Sequence, residues 1–328
     1  MIAINKAILH TMDAALELYF CADEELLLDL NVNAYLIRHL EKITKQSSSQ
    51  KGTFKGTSKL YGKIRQYTSD DFLTLSREIA NVWFGVYAEA MRFLDMNLLF
   101  IEYVENDTLY YAALRFNNKQ GYIRQISRED GIVRNEILTY ASLIPSMSQN
   151  VDEYFIINMS DFSIRLKEDK YYLNKEEELL ISDQILYCHI EKSTKDALKT
   201  LDEIVTKVSH ELDEDVLENT LKYKQYVNLC TQTDQKLNVD EICEQVFKDN
   251  DDFAQRFEEL SMESKLPETI ELQKKAPASL RRHKIKTDSG IEIIIPVDYA
   301  EVKDNVLITN NEDGTISISL HHVGKIVE

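Results

Sequence analysis

Lysine and arginine are bunched in this sequence, and bunched cations are the side chains here whose type and spacing suit a polyanion. From Arg38 to Arg65 there are eight of them (Arg38, Lys42, Lys45, Lys51, Lys55, Lys59, Lys63 and Arg65) against one acid, Glu41, for a local charge of +7. Lys51, Lys55, Lys59 and Lys63 recur every fourth residue, interleaved with Phe54, Tyr61 and Tyr67. A second bunch, Lys274, Lys275, Arg281, Arg282, Lys284 and Lys286, contains no acid and carries +6, with His283 among them. Cations on such segments reach phosphates and release counterions. Contacts of that kind position a protein on DNA without reading its sequence.

Other chemistries find less to work with. Seven histidines are scattered, and His210-Glu211 opens like a zinc-protease motif but meets Glu214 where the second ligand belongs. His321 and His322 are adjacent on a predicted strand, so they point to opposite faces and cannot share an ion. No metal site and no cofactor are expected. There is no nucleophile elbow, Walker loop or dinucleotide fingerprint. A Mg²⁺-dependent nuclease would use Asp288 or Asp298 with Glu301 and Lys303, but that pattern arises by chance in so charged a chain and reads as turn charges.

The 328 residues carry a net charge of −18, so the two basic segments leave −31 on the rest. A uniformly acidic surface would repel nucleic acid; a segregated one need not. The acidic remainder could also dock a basic protein. The four cysteines show no metal-ligand spacing, which predicts a reducing, cytoplasmic setting. The N-terminus is too short and polar for a signal peptide, and no apolar run reaches the length of a membrane span.

The elements that must carry these cations alternate little between strand and helix. Residues 2–30 read as paired strands, and 31–46 as a helix with Arg38, Lys42 and Lys45 in a stripe opposite its apolar side. Residues 47–63 read as a Ser/Gly/Lys loop. A long helix follows, capped by Ser69 or Asp70, with Trp83 in the core. Residues 96–127 read as a meander with a turn at Glu105-Asn106-Asp107, and strand-like runs follow at 137–144 and 154–166. Residues 194–262 are helical, and Asp313-Gly314 marks a hairpin in a β-rich tail. Segregated sheet and helix predict the α+β class. The expected domains are an α+β region 1–192, a helical region 193–265 and a β-rich region 266–328.

The opening INKAILHTMD, the helix SDDFLTLSREIANVWF, the stretch DDFAQRFEEL before LPETIEL, and the ending HKIKTDSGIEIIIPVDY with VLITNNEDGTISISL form a distributed pattern. By it the chain resembles the bacterial nucleoid-associated protein family NdpA, the YejK-like proteins. The resemblance implies a nucleoid protein that binds double-stranded DNA with little sequence preference. It also implies a homodimer, possible contact with type II topoisomerase subunits, and no enzymatic activity. No short family motif fixes DNA-contacting residues. The expected contacts are therefore the twelve cations of the charge reading: Arg38, Lys42, Lys45, Lys51, Lys55, Lys59, Lys63, Arg65, Arg281, Arg282, Lys284 and Lys286. The alternative is an interaction module whose acidic surface docks a basic partner such as a topoisomerase.

Overall fold

A strand that is apolar at nearly every position is stable only with both faces covered. Two such runs, LLFIEYV and LYYAALRF, pair side by side in the main sheet of the structure, a computed structural model that describes residues 1–89, 93–129, 131–173, 176–233, 235–272, 278–286, 288–300, 305–311 and 315–324. The described chain has the α+β class and divides into two compact units, Met1–Glu191 and Lys192–Glu328.

The first unit contains β1 (Ile2–Asp13), β2 (Leu18–Phe20), α1 (Leu30–Thr44), β3 (Gln50–Phe54), α2 (Lys59–Ile64), α3 (Phe72–Glu89), β4 (Met96–Glu105) and β5 (Thr108–Asn117). There follow β6 (Lys119–Glu129), β7 (Ile132–Leu143), β8 (Glu153–Asn158), β9 (Ile164–Lys167), β10 (Lys170–Leu173), β11 (Glu176–Leu179) and β12 (Cys188–Ile190). Eight strands form one antiparallel sheet in the order β12-β3-β9-β8-β5-β4-β1-β2. The β4–β5 turn falls where the sequence places it, with Asn106 and Asp107 both at positive φ, a conformation these residues tolerate.

Alternate residues of the sheet feed two cores. On one face Ile8, Phe100, Ala113 and Phe155 pack with α3, which buries Phe72, Leu75, Ile79, Trp83, Phe84 and Tyr87 at helical spacing. On the other, Ala7, Ile101, Ala112 and Ile156 pack with Leu36, Leu40 and Ile43 of α1. Asp29 caps α1 by accepting the Val32 amide at 2.8 Å. Asp29→Ala is expected to lower the unfolding free energy of this unit by about 1 kcal/mol, as read by urea denaturation.

Three sequence expectations change. Residues 47–63 are not a loop: they supply β3, paired with both β9 and β12, and then α2. The turn before α3 is capped by Thr68, whose hydroxyl and amide both bond Asp71, and not by Ser69 or Asp70. The third strand of the expected meander leaves the sheet. β5 pairs with β8, while β6 and β7 pair only with each other among the described residues.

That β6–β7 ribbon is unusual in being exposed along its whole second strand. Its register puts Tyr122, Ile126, Val133 and Ile137 on one face and Ile123, Ile132, Leu138 and Tyr140 on the other. All eight are exposed, from 38% for Leu138 to 78% for Ile137.

The second unit contains α4 (Thr194–Glu211), α5 (Val216–Gln232), β13 (Lys236–Asn238), α6 (Val239–Val246), α7 (Asp251–Glu263), β14 (Thr269–Glu271), α8 (Ala278–Arg281), β15 (Arg282–Lys286), β16 (Glu292–Pro296), α9 (Val297–Ala300), β17 (Val306–Asn310) and β18 (Ile316–Leu320). Its core joins Leu201, Val205, Val227, Ile242, Phe253 and Phe257, with Ile270 from β14 and Leu280 from α8. Ser193, Asp215, Asn238 and Asn250 each cap a helix through a side-chain oxygen. β17 and β18 pair as the hairpin signal requires, while Asp313 and Gly314 themselves lie outside the described residues.

Candidate nucleic-acid interface

A run of cations contiguous in sequence is sorted by whatever element carries each one. Here α1 and α2 pack on opposite faces of the sheet, since Leu60 and Ile64 of α2 join the core on α3's side. The expected 38–65 cluster is therefore divided.

On the α1 side, Arg38 is exposed and pairs with Glu41 at 3.5 Å. Lys45 caps the helix C-terminus and is exposed, a favourable place for a cation. Lys42 is half-buried, and its ammonium donates to the carbonyls of Ser148 and, at 2.8 Å, Gln149. Its charge holds the segment that returns from β7. Lys51 on β3 is exposed and lies directly across from Arg165 on β9. Arg165 in turn donates to the carbonyl of Thr44, next to Lys45. Lys45, Lys51 and Arg165 thus gather around the end of α1.

Arg165 was not among the expected residues. Neither was Lys167, which shares its face and donates to the Asp152 carbonyl at 2.9 Å. The signal was available: Ile164-Arg165-Leu166-Lys167 alternates apolar and basic, as a half-buried strand must.

On the α3 side, Lys55 lies 4.5 Å above the Tyr187 ring and Arg65 5.8 Å from the Tyr61 ring. Lys59 and Lys63 share the exposed side of α2, and Lys63 pairs with Glu78. Phe54 and Tyr61 stack on each other at 5.1 Å, and Phe54 packs against the core.

The second basic segment is sorted more simply. In the second unit β15 and β16 pair so that Arg282, Lys284 and Lys286 share one face with Ile294, Glu292 and Pro296, all six exposed. Two-residue spacing sets the three cations about 6.6 Å apart. Lys284 bonds Glu292 at 2.8 Å. His283 and Ile285 turn to the inner face. There burial, and secondarily the charge of Lys224, lowers the His283 pKa to about 4. His283 is therefore neutral at physiological pH and adds nothing to the basic face. Arg281 ends α8 beside this strand.

Lys274 and Lys275 lie outside the described residues, as do Glu301 and Lys303 of the nuclease pattern. Among the described residues no three His, Cys, Asp or Glu side chains converge to hold a metal ion, and no helix is long and apolar enough to cross a membrane.

The geometry is a set of exposed cations on regular elements, suited to surface contact with a polyanion. The sequence matches the family described as Nucleoid-associated protein YejK over residues 8–326, which spans both units. No curated protein matches it.

Proposed function

Because the chain belongs to the nucleoid-associated protein YejK family, whose name places it at the nucleoid, we propose that it binds double-stranded DNA there as a homodimer, through phosphate contacts and with little sequence preference. The observation that carries this reading is the outer face of β15: Arg282, Lys284 and Lys286 project together from a two-stranded ribbon of an otherwise acidic protein. A ribbon of this width fits the major groove or lies along its rim. Regularly spaced cations with a single acid among them suit phosphates better than base edges. Lys45, Lys51 and Arg165 form a secondary cationic group in the first unit. Lys42 drops out of the contact set, because its ammonium already serves two carbonyls. The reading assigns no chemical step and no cofactor.

The test is duplex retardation as a function of salt. Log affinity should fall linearly with log salt, by about 0.9 for each phosphate neutralised. Reversing Arg282, Lys284 and Lys286 to Glu should weaken binding on every sequence alike and reduce the slope by about 3. No retardation at low salt, or a loss confined to one sequence, would contradict the proposal.

A further inference from the structure

We infer that the β6–β7 ribbon is the arm through which two copies of this chain join, an inference that rests on the homodimer included in the function proposed above. A two-stranded ribbon alone is at best marginally stable in water. This one runs up to twelve residues, roughly 40 Å, and pairs with no third strand among the described residues. Both of its faces are studded with exposed Ile, Leu, Val and Tyr. At about 200 Å² for a fully exposed side chain of this size, the eight apolar residues leave on the order of 800 Å² open, which matches one partner's share of a standard interface.

Charge selects the occupant. Residues 118–147 carry Lys119, Arg124, Arg128 and Arg134 against Glu129, Asp130 and Glu136, for a net +1 in a chain of −18. Two copies of so acidic a protein repel each other elsewhere and can meet here. The ribbon is also self-complementary. Arg124 and Arg128 share a face with no acid among the described side chains of their own ribbon, while Glu136 lies on the other face beside Arg134. Isologous pairing of two ribbons can bring cations to carboxylates while burying the apolar rows. Duplex DNA is the poorer fit. Nucleic-acid interfaces are polar and strongly basic, whereas this ribbon exposes eight large apolar side chains and is nearly neutral in sequence.

The arm is built to be presented. At its base, the Asn118 amide donates to the Asp95 carbonyl at 2.8 Å, and the Asn97 side-chain amide donates to Asn118. On the segment that follows β7, the Tyr35 hydroxyl donates to the Pro145 carbonyl at 2.9 Å, and Lys42 holds Ser148 and Gln149. Fixing both ends in the free chain removes ordering cost from association. This gives Lys42 a structural task in place of a DNA contact.

The experiment is the solution molar mass of the full chain by sedimentation equilibrium, for wild type, Ile126→Glu/Ile137→Glu and Ile126→Ala/Ile137→Ala. Both positions are exposed, so far-UV circular dichroism and melting of the body should be unchanged. Wild type is expected at twice the chain mass. The Glu variant is expected at the chain mass, with self-association weakened roughly a hundredfold or more, and the Ala variant between them. A wild type that stays at single-chain mass through the micromolar range, or a Glu variant as dimeric as wild type, overturns the inference. Duplex retardation on the same samples separates this from the DNA reading. A monomeric Glu variant that still retards DNA, but more weakly because paired cation sets no longer act together, supports the inference. Loss of the dimer with no retardation by either protein refutes DNA binding and leaves the arm standing. A monomeric wild type whose DNA binding vanishes on ribbon substitution makes the ribbon a nucleic-acid element and overturns the inference.

Discussion

Glu153→Ala should lower the unfolding free energy of the first unit by about 3–5 kcal/mol, the usual cost of breaking a buried ion pair from one side. Glu153 on β8 is fully buried and lies directly across from Arg115 on β5, which is 6% exposed at its side chain. The carboxylate accepts from the Arg115 guanidinium, the Tyr171 hydroxyl and, at 2.9 Å, the Asp169 amide. Arg115 also donates to Tyr171 at 2.6 Å and to Asn117 at 2.8 Å, and lies 5.6 Å from the Tyr87 ring. Removing the carboxylate strands a guanidinium in a dry site and leaves the Asp169 amide without its acceptor. Against a typical domain stability of about 5–15 kcal/mol, this would lower the melting temperature by roughly 10 °C or more. Replacing both partners, Arg115→Met/Glu153→Leu, should recover most of the loss, because charge and counter-charge go together. Urea denaturation of the two single variants and the double would measure the coupling. A Glu153→Ala variant within 1 kcal/mol of wild type would contradict the assignment.

None of this network was legible in the sequence, and the reason is physical. Arg115 and Glu153 are 38 residues apart, and they meet only because β5 pairs with β8 across the excursion of β6 and β7. Local pattern reveals strands and turns. It does not reveal which strand lies beside which. What depends on local chemistry alone was readable: the Asn106-Asp107 turn, the helical spacing of α3 and the burial of Trp83. What depends on neighbours was not. Gly52 helped mark 47–63 as a loop, yet it sits in β3, where a Cβ would approach Leu166 at 3.2 Å and Ile164 at 3.3 Å. The glycine there serves close packing within a sheet, and tertiary pairing overrides the poor strand propensity of its surroundings.

The candidate site shows the same division. The face of β15 follows from period-2 spacing alone, so Arg282, Lys284 and Lys286 could be grouped from sequence, with His283 turned away. The 38–65 bunch could not. Its cations are distributed by α1, β3 and α2 over both faces of a sheet, and the companion of Lys51 is Arg165, more than a hundred residues on. The apolar ribbon was readable as strand but not as exposed. Alternation fixes which residues share a face and is silent on whether anything covers that face.

Two histidines that looked incidental carry the other large expectation: the first unit should lose several kcal/mol of stability between pH 6.5 and pH 4. His10 and His39 are fully buried. The His10 Nδ1 accepts the Ala22 amide at 3.0 Å, and Nε2 lies 3.2 Å from Ser76 Oγ, whose own hydrogen goes to the Leu73 carbonyl. The ring is thereby held neutral with its proton on Nε2, since a proton on Nδ1 would face the Ala22 N–H. His39 lies between Tyr35 and Phe116, with no hydrogen-bond partner on either ring nitrogen. Burial first, then the charge of Arg77 for His10 and of Lys42 for His39, lowers each pKa to about 4. In the unfolded chain both return to about 6.5. Between those values the unfolded state holds more protons than the folded one, so stability falls as pH falls, by up to about 3 kcal/mol per histidine. Most of the window lies above the range in which carboxylates protonate, so urea midpoints at pH 7, 6 and 5 isolate the effect. His39→Leu should halve the slope and also raise stability at pH 7, because it removes two buried polar atoms that nothing satisfies. A urea midpoint that does not move between pH 7 and 5 would show that these rings are not held neutral by the fold.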